Sequence, residues 1–204
     1  MRLTKEARNW ENRFLKRYIY ISVVLNMLHM IQKCSNWVVF SAFARNPKKT
    51  YQVRELSREV KLATTSVRLH LNELEKQGLI KKEKVGVYQA YKSNFEDENF
   101  RFYKKMYNML SLKESSLIKE LEKQATPDAI ILFGSYAKAE DTENSDIDLF
   151  LIAKEKQIDL KEYEKKLSRP IQLFFSEDLN KLPKELLNNI LNGIVLSGFI
   201  RWIK

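Results

Sequence analysis

From Ala129 to Ile152 the chain reads A-I-I-L-F-G-S-Y-A-K-A-E-D-T-E-N-S-D-I-D-L-F-L-I. The run Ala129 to Phe133 is apolar, β-branched, too short for a helix and closed by Gly134, which predicts a buried strand. Ten polar-rich residues separate Ser135 from Asp146, and Asp146-Ile147-Asp148 then leads into a second apolar run, Leu149 to Ile152. Side chains alternate along a strand, so Asp146 and Asp148 project together, with Ile147 and Leu149 on the opposite face. Paired carboxylates beside an apolar sheet repel each other unless a cation lies between them. Mg²⁺ suits such a site, since it takes a few carboxylates and completes its shell with phosphate oxygens and water. Gly134, without a Cβ, lets the backbone approach a phosphate, and Ser135 adds an N–H and a hydroxyl at the start of a short helix. A metal and a phosphate cradle together imply a nucleotide.

The wording G-S-Y-A-K-A-E-D-T-E-N-S-D-I-D-L-F resembles the nucleotidyltransferase superfamily that includes DNA polymerase β, and within it the minimal nucleotidyltransferases. The resemblance implies that Gly134 and Ser135 hold the triphosphate of an NTP. It implies that Asp146 and Asp148 hold two Mg²⁺ (or Mn²⁺) ions and carry catalysis. Lys138 stands where the family often has Arg and is a further phosphate candidate. A third strand, Pro170 to Phe175, usually supplies a third carboxylate, and the alternation puts Gln172 at that position. An amide is no general base and ligates metal less well than a carboxylate, so nucleotide binding survives this change more easily than catalysis.

Of 204 residues 44% are hydrophobic, enough for one core or two. Charge divides the chain: Met1 to Phe95 holds 19 Lys and Arg against 7 Asp and Glu, a net +12, while Glu96 to Lys204 holds 17 against 19, a net −2. A basic excess confined to one half points to a polyanionic partner. Within that half, Tyr51 to Val60 is predicted as a short helix with Val53, Leu56 and Val60 inward. A turn, Lys61-Leu62-Ala63, leads to a second helix, Thr64 to Gln77, buried along Val67, Leu71 and Leu74. Gly78 caps it, Leu79-Ile80 starts a strand, and residues 81–92 form a basic hairpin turning near Gly86.

Helix, turn, helix and two-stranded wing resemble winged helix-turn-helix regulators of the arsenic-repressor type over roughly Val53 to Lys92. The resemblance implies double-stranded DNA as partner. Thr64, Thr65, Ser66 and Arg68 would meet base edges from the second helix, and Lys81, Lys82, Lys84 and Lys92 would meet phosphates from the wing. Ala63 stands where a capping Ser or Thr is usual, giving up roughly 1 kcal/mol, and Leu69 takes a commonly polar position.

Residues 4–33 show helical periodicity, with a strand or a break near Ser22 left open, and suit either a dimer contact or a cover for a core. Asn36 to Arg45 is a second helix, ended by Asn46-Pro47. Asn94 to Gln124 is helical, with Phe102, Met106, Met109, Leu110, Leu117 and Leu121 recurring and a break near Ser111. Lys154 to Leu167 and Leu179 to Leu191 are also read as helical, with Gly193 to Leu196 closing the chain's second unit. The expected fold class is α+β in three parts: a winged-helix domain at 1–95, a helical linker at 96–125 and a small mixed-sheet nucleotidyltransferase domain at 126–204.

One cysteine, Cys34, forms no internal disulfide, and His29 and His70 are too far apart for a zinc ribbon or a Cys/His pair, which fits a reducing cytoplasm. The apolar run Tyr18 to Ile31 is too short to cross a membrane. The expectation is a cytoplasmic DNA-binding regulator, a homodimer if it reads half-sites, with a Mg-NTP module. The alternative is an active enzyme that transfers NMP to a protein or small-molecule acceptor presented by the winged helix.

Overall fold

The computed structural model describes residues 34–200. The periodicity of residues 4–33 lies outside them. The chain begins with α1 (Ser35–Arg45), whose Val39, Phe40 and Phe43 are buried. Next come β1 (Tyr51–Gln52), α2 (Val53–Val60) and α3 (Thr64–Lys76), followed by the hairpin β2 (Ile80–Val85) and β3 (Tyr88–Ser93). Helix α3 starts after Ala63 with no side-chain cap, as its sequence predicts.

Tyr51 and Gln52 do not belong to the helix expected over residues 51–60. They pair with Tyr91 and Ala90, making a three-stranded sheet in the order β1-β3-β2. The fully buried Tyr51 ring stands edge-on to Phe43 at 5.1 Å, and its hydroxyl donates to the Ala42 carbonyl at 3.3 Å. Those contacts hold it extended against the local helical pattern.

Helices α4 (Glu98–Ser115) and α5 (Leu117–Ala125) follow. Asp97 caps α4 by accepting from the amides of Asn99 and Phe100, so the helix starts later than the expected Asn94. The break falls at Ser116, in the left-handed region at φ +64°, and not near Ser111. The Ser111 hydroxyl donates to the Tyr107 carbonyl one turn back, which an unbroken helix tolerates. Ser115 instead donates to the Leu112 carbonyl and accepts from the Leu117 amide, tying off one helix and starting the next. Phe102, expected on the buried stripe, is exposed, and its ring leans on Tyr103.

The second sheet comprises β4 (Ala129–Phe133), β5 (Ile147–Leu151), β6 (Ile171–Phe175) and β7 (Ile194–Gly198), in the order β6-β5-β4-β7. Only β5 and β6 run parallel, joined by α7 (Lys161–Leu167), so the sheet is mixed. Helix α6 (Gly134–Lys138) follows β4 directly. Alternation sorts the strands: Ile130, Leu132, Ile147, Leu149 and Leu151 pack with Met109, Leu112, Leu117 and Leu121, while Ile131, Phe133 and Phe150 pack with Ile190 of α8 (Lys184–Leu191) on the other face.

Residues 154–160 are not helical, contrary to expectation. Ile158 and Leu160 pack against the core from this irregular segment, and the Asp159 carboxylate accepts from the Lys161 amide where α7 begins. Pro183 splits the other expected helix into a short 3₁₀ turn, Leu179–Lys181, and α8.

The architecture is α+β, with a helical winged half and a mixed-sheet half. Helix α4 belongs to both: Phe100 and Leu110 pack in the first core, Met109 and Leu112 in the second. Among the described residues no helix is long and apolar enough to cross a membrane.

Candidate functional site

At the end of β4 the backbone turns left-handed at Gly134, φ +71°. A Cβ there would lie 2.3 Å from the Asp148 Oδ2, so glycine alone lets that carboxylate stand against the turn. Strand register builds the rest. Asp148 pairs with Phe133 on one side and with Gln172 on the other. Asp146, one residue before β5, accepts from the Gln172 amide nitrogen at 2.5 Å. Gln172 therefore sits between the two acids, in register with Asp148 and bonded to Asp146, and Asp148 stands against Gly134.

Burial, and then the charge of Asp146, pushes the Asp148 carboxyl above the usual carboxylate range. The Gln172 amide takes some of that charge on Asp146 without adding another. Among the described residues no three His, Cys, Asp or Glu side chains gather as a metal cluster. Two carboxylates with an amide alongside are a partial donor set, which fits one hard divalent cation that takes its remaining oxygens from a phosphate and water. Ser135 is half-buried next to Gly134, and its carbonyl accepts from the Glu140 amide at 2.9 Å. Lys138 ends α6 exposed and joins no ion pair among the described residues.

Between α6 and Asp146 lies a feature that no sequence pattern announces. Asp141 is fully buried, and so is Lys104 of α4, whose Nζ lies 2.7 Å from Asp141 Oδ1. The Asn108 amide donates to the same oxygen at 2.8 Å and to the Tyr136 carbonyl at 2.9 Å. Arg169, buried just before β6, places Nη2 3.4 Å from Asp141 Oδ2 and donates from the same nitrogen to the carbonyl of Arg45 at the end of α1, 2.8 Å away. Burial pulls the Lys104 ammonium below its ordinary value, and the Asp141 charge opposes it. Beside Arg169 a cleft of about 590 Å³ opens between the halves, bordered by Trp37, Arg45, Lys61 and Tyr107.

On the winged half, Thr64, Thr65 and Arg68 are exposed at the start of α3, and Ser66 is half-buried. Leu69, the departure from pattern, is also exposed. The four wing lysines are not equivalent. Lys82 pairs with Glu75 at 2.5 Å and Lys92 pairs with Glu83, whereas Lys81 and Lys84 are exposed with no ion pair among the described residues. Val85, Val87 and Tyr88 are exposed at the wing tip.

Residues 115–198 match the family described as Polymerase beta, Nucleotidyltransferase, and residues 45–81 match Winged helix-turn-helix DNA-binding. No curated protein matches the chain. Among solved structures it is similar to the transcriptional regulator BldR from Sulfolobus solfataricus, at 13% identity over 60% of this chain and 87% of that one, with a TM-score of 0.35. The chain joins a winged helix-turn-helix unit to a nucleotidyltransferase domain of the DNA polymerase β superfamily.

Proposed function

We propose that this chain is a DNA-binding transcriptional regulator whose second half binds an NTP with Mg²⁺. The single observation that carries the nucleotide half is Asp148, within electrostatic reach of Asp146, standing against the left-handed turn at Gly134, where a Cβ would lie 2.3 Å from its Oδ2. The two carboxylates would hold the cation, which when bound would neutralise them and the triphosphate together. Gly134 and Ser135 would receive the phosphates, and exposed Lys138 would screen their charge.

Gln172 weighs against the enzyme reading. No carboxylate stands at the third position, and an amide cannot accept the proton of an attacking hydroxyl. Our reading is therefore nucleotide binding without transfer.

The net +12 of residues 1–95 and the exposed Thr64, Thr65 and Arg68 support duplex binding, with Lys81 and Lys84 contributing most of the wing's contact to phosphate. The working division is a duplex-reading unit at 1–95 and a nucleotide unit at 126–204, joined by the helices between. Half-site reading would make the active form a homodimer.

Calorimetry with each common NTP and Mg²⁺ tests the nucleotide half. Heat is expected from the wild type and none from Asp148→Asn; silence from the wild type with every NTP refutes it. Labelled NTP with Mg²⁺ separates binding from transfer, because label fixed covalently to any acceptor would restore the enzyme reading. Duplex affinity that is indifferent to salt and to Arg68→Ala would refute the regulator.

A further inference from the structure

We propose that Asp141, clamped by Lys104 and Arg169, is a positioning residue that couples nucleotide occupancy of the acidic pair to the duplex-binding half. The coupling rests on the nucleotide reading above. It starts from the loop between α6 and β5, which carries Asp146 at its far end.

That loop is held at both ends. Behind it, Asp141 receives Lys104, Asn108 and Arg169 in a site closed to water. Ahead of it, the Ile147 amide donates to the Pro170 carbonyl at 2.9 Å, one residue past Arg169. Between the two, the Thr142 amide donates to Ser145 Oγ at 3.0 Å and the Ser145 amide to the Thr142 carbonyl at 3.1 Å, closing a tight turn. The span from Asp141 to Asp146 is therefore short and internally bonded, and a displacement at one end reaches the other.

Asp146 answers to two partners. In this structure its carboxylate takes the Gln172 amide; with nucleotide bound, a cation would claim the same oxygens. Exchanging one partner for the other moves Asp146, and the turn passes that movement to Asp141. There the path leaves the sheet domain. A single nitrogen, Arg169 Nη2, reaches both Asp141 and the Arg45 carbonyl at the end of α1. Helix α1 packs directly on α3, the helix that carries Thr64, Thr65 and Arg68. A ligand shifts an equilibrium only by its differential interaction with two arrangements, and the exchange of Gln172 for a cation at Asp146 supplies that difference. Coupling of this kind is reciprocal, so duplex must change nucleotide affinity by the same factor.

The test uses the full chain and Arg169→Gln, which removes the link to Arg45 and leaves the Lys104–Asp141 pair in place. Fluorescence anisotropy follows a labelled duplex of random sequence with and without Mg²⁺ and each common NTP, while calorimetry follows nucleotide binding. The expected result is a change in duplex affinity of about fivefold or more on nucleotide addition in the wild type. In Arg169→Gln the change should shrink to within about twofold while the calorimetric affinity for nucleotide is kept. Hydrogen exchange should show the Thr142 and Ser145 amides less protected in the variant without any nucleotide present. If Gln at 169 prevents folding, Arg169→Met takes its place, giving the buried stem an apolar end. A wild type that binds nucleotide with unchanged duplex affinity, or a variant that keeps the full shift, overturns the coupling. A wild type that gives no heat with any NTP overturns the nucleotide reading first, and the coupling with it.

Discussion

Gln172→Glu would restore the third carboxylate and turn the acidic pair into a metal-dependent structural element. The structure allows the size of the effect to be worked out. The change removes the 2.5 Å hydrogen bond to the charged Asp146, an interaction of a class worth about 1.5–3 kcal/mol. It also brings a third negative charge to a few ångströms from Asp146. At 4 Å two like charges repel by about 1 kcal/mol in water and about 4 kcal/mol near a protein surface. Gln172 is exposed and Asp146 half-buried, so the lower part of that range applies. Together these terms predict a loss of about 3 kcal/mol without metal, which lowers the melting temperature of a chain of this length by about 6–12 °C. Mg²⁺ should reverse the loss: a free concentration 100 times the dissociation constant restores about 2.7 kcal/mol. The assay is thermal unfolding of wild type and variant with EDTA and with millimolar Mg²⁺. A variant that melts with the wild type in EDTA, or gains nothing from Mg²⁺, would show that residue 172 does not face the acids in solution, and the site assigned to them would fall.

Gly134→Ala combines a left-handed backbone with a Cβ 2.3 Å from Asp148 Oδ2; it should cost more than about 1 kcal/mol in denaturant unfolding and abolish nucleotide heat, and full binding by this variant would refute the close approach. Lys84→Ala should lower the slope of log affinity against log salt for duplex by about 1, while Lys82→Ala, removing a lysine already paired with Glu75, should change it less; equal effects would contradict the ranking. Lys104→Met leaves the Asp141 carboxylate buried with only Arg169 and Asn108, and should destabilise the chain by about 3 kcal/mol, the low end for a broken buried pair. Adding Asp141→Leu should recover most of that stability, and a double variant worse than the single would show that the pair stabilises more than its isolated charges cost.

Where chemistry and backbone period coincide, the sequence was readable. The family resemblance and the alternation put Gln172 at the third-acid position, and in the structure that residue pairs with Asp148. The winged-helix elements carried turn and cap signals at their ends, and Gly78 and Ala63 fall at the ends of α3. What escaped depends on contacts between distant segments. Tyr51 is a strand residue because of Phe43 and the Ala42 carbonyl, neither of which its own neighbours reveal. Ser111 and Ser116 look alike in sequence, yet one bonds back within a helix and the other follows the residue that closes it. Lys104 reads as a solvated lysine among helical residues, and Asp141 as one acid in a polar loop; only their meeting 37 residues apart makes either of them structural.

The sharing of α4 limits how freely the two units can be exchanged between proteins. A cut placed just before residue 98 would strip the winged half of Phe100, whose ring meets Phe40 edge-on at 5.6 Å. A cut after residue 115 would rob the sheet half of Met109 and Leu112, and of Lys104, which neutralises Asp141 in its buried seat. Any chimaera that grafts this sheet domain onto another winged helix must therefore bring the helix along and rebuild the foreign core around it.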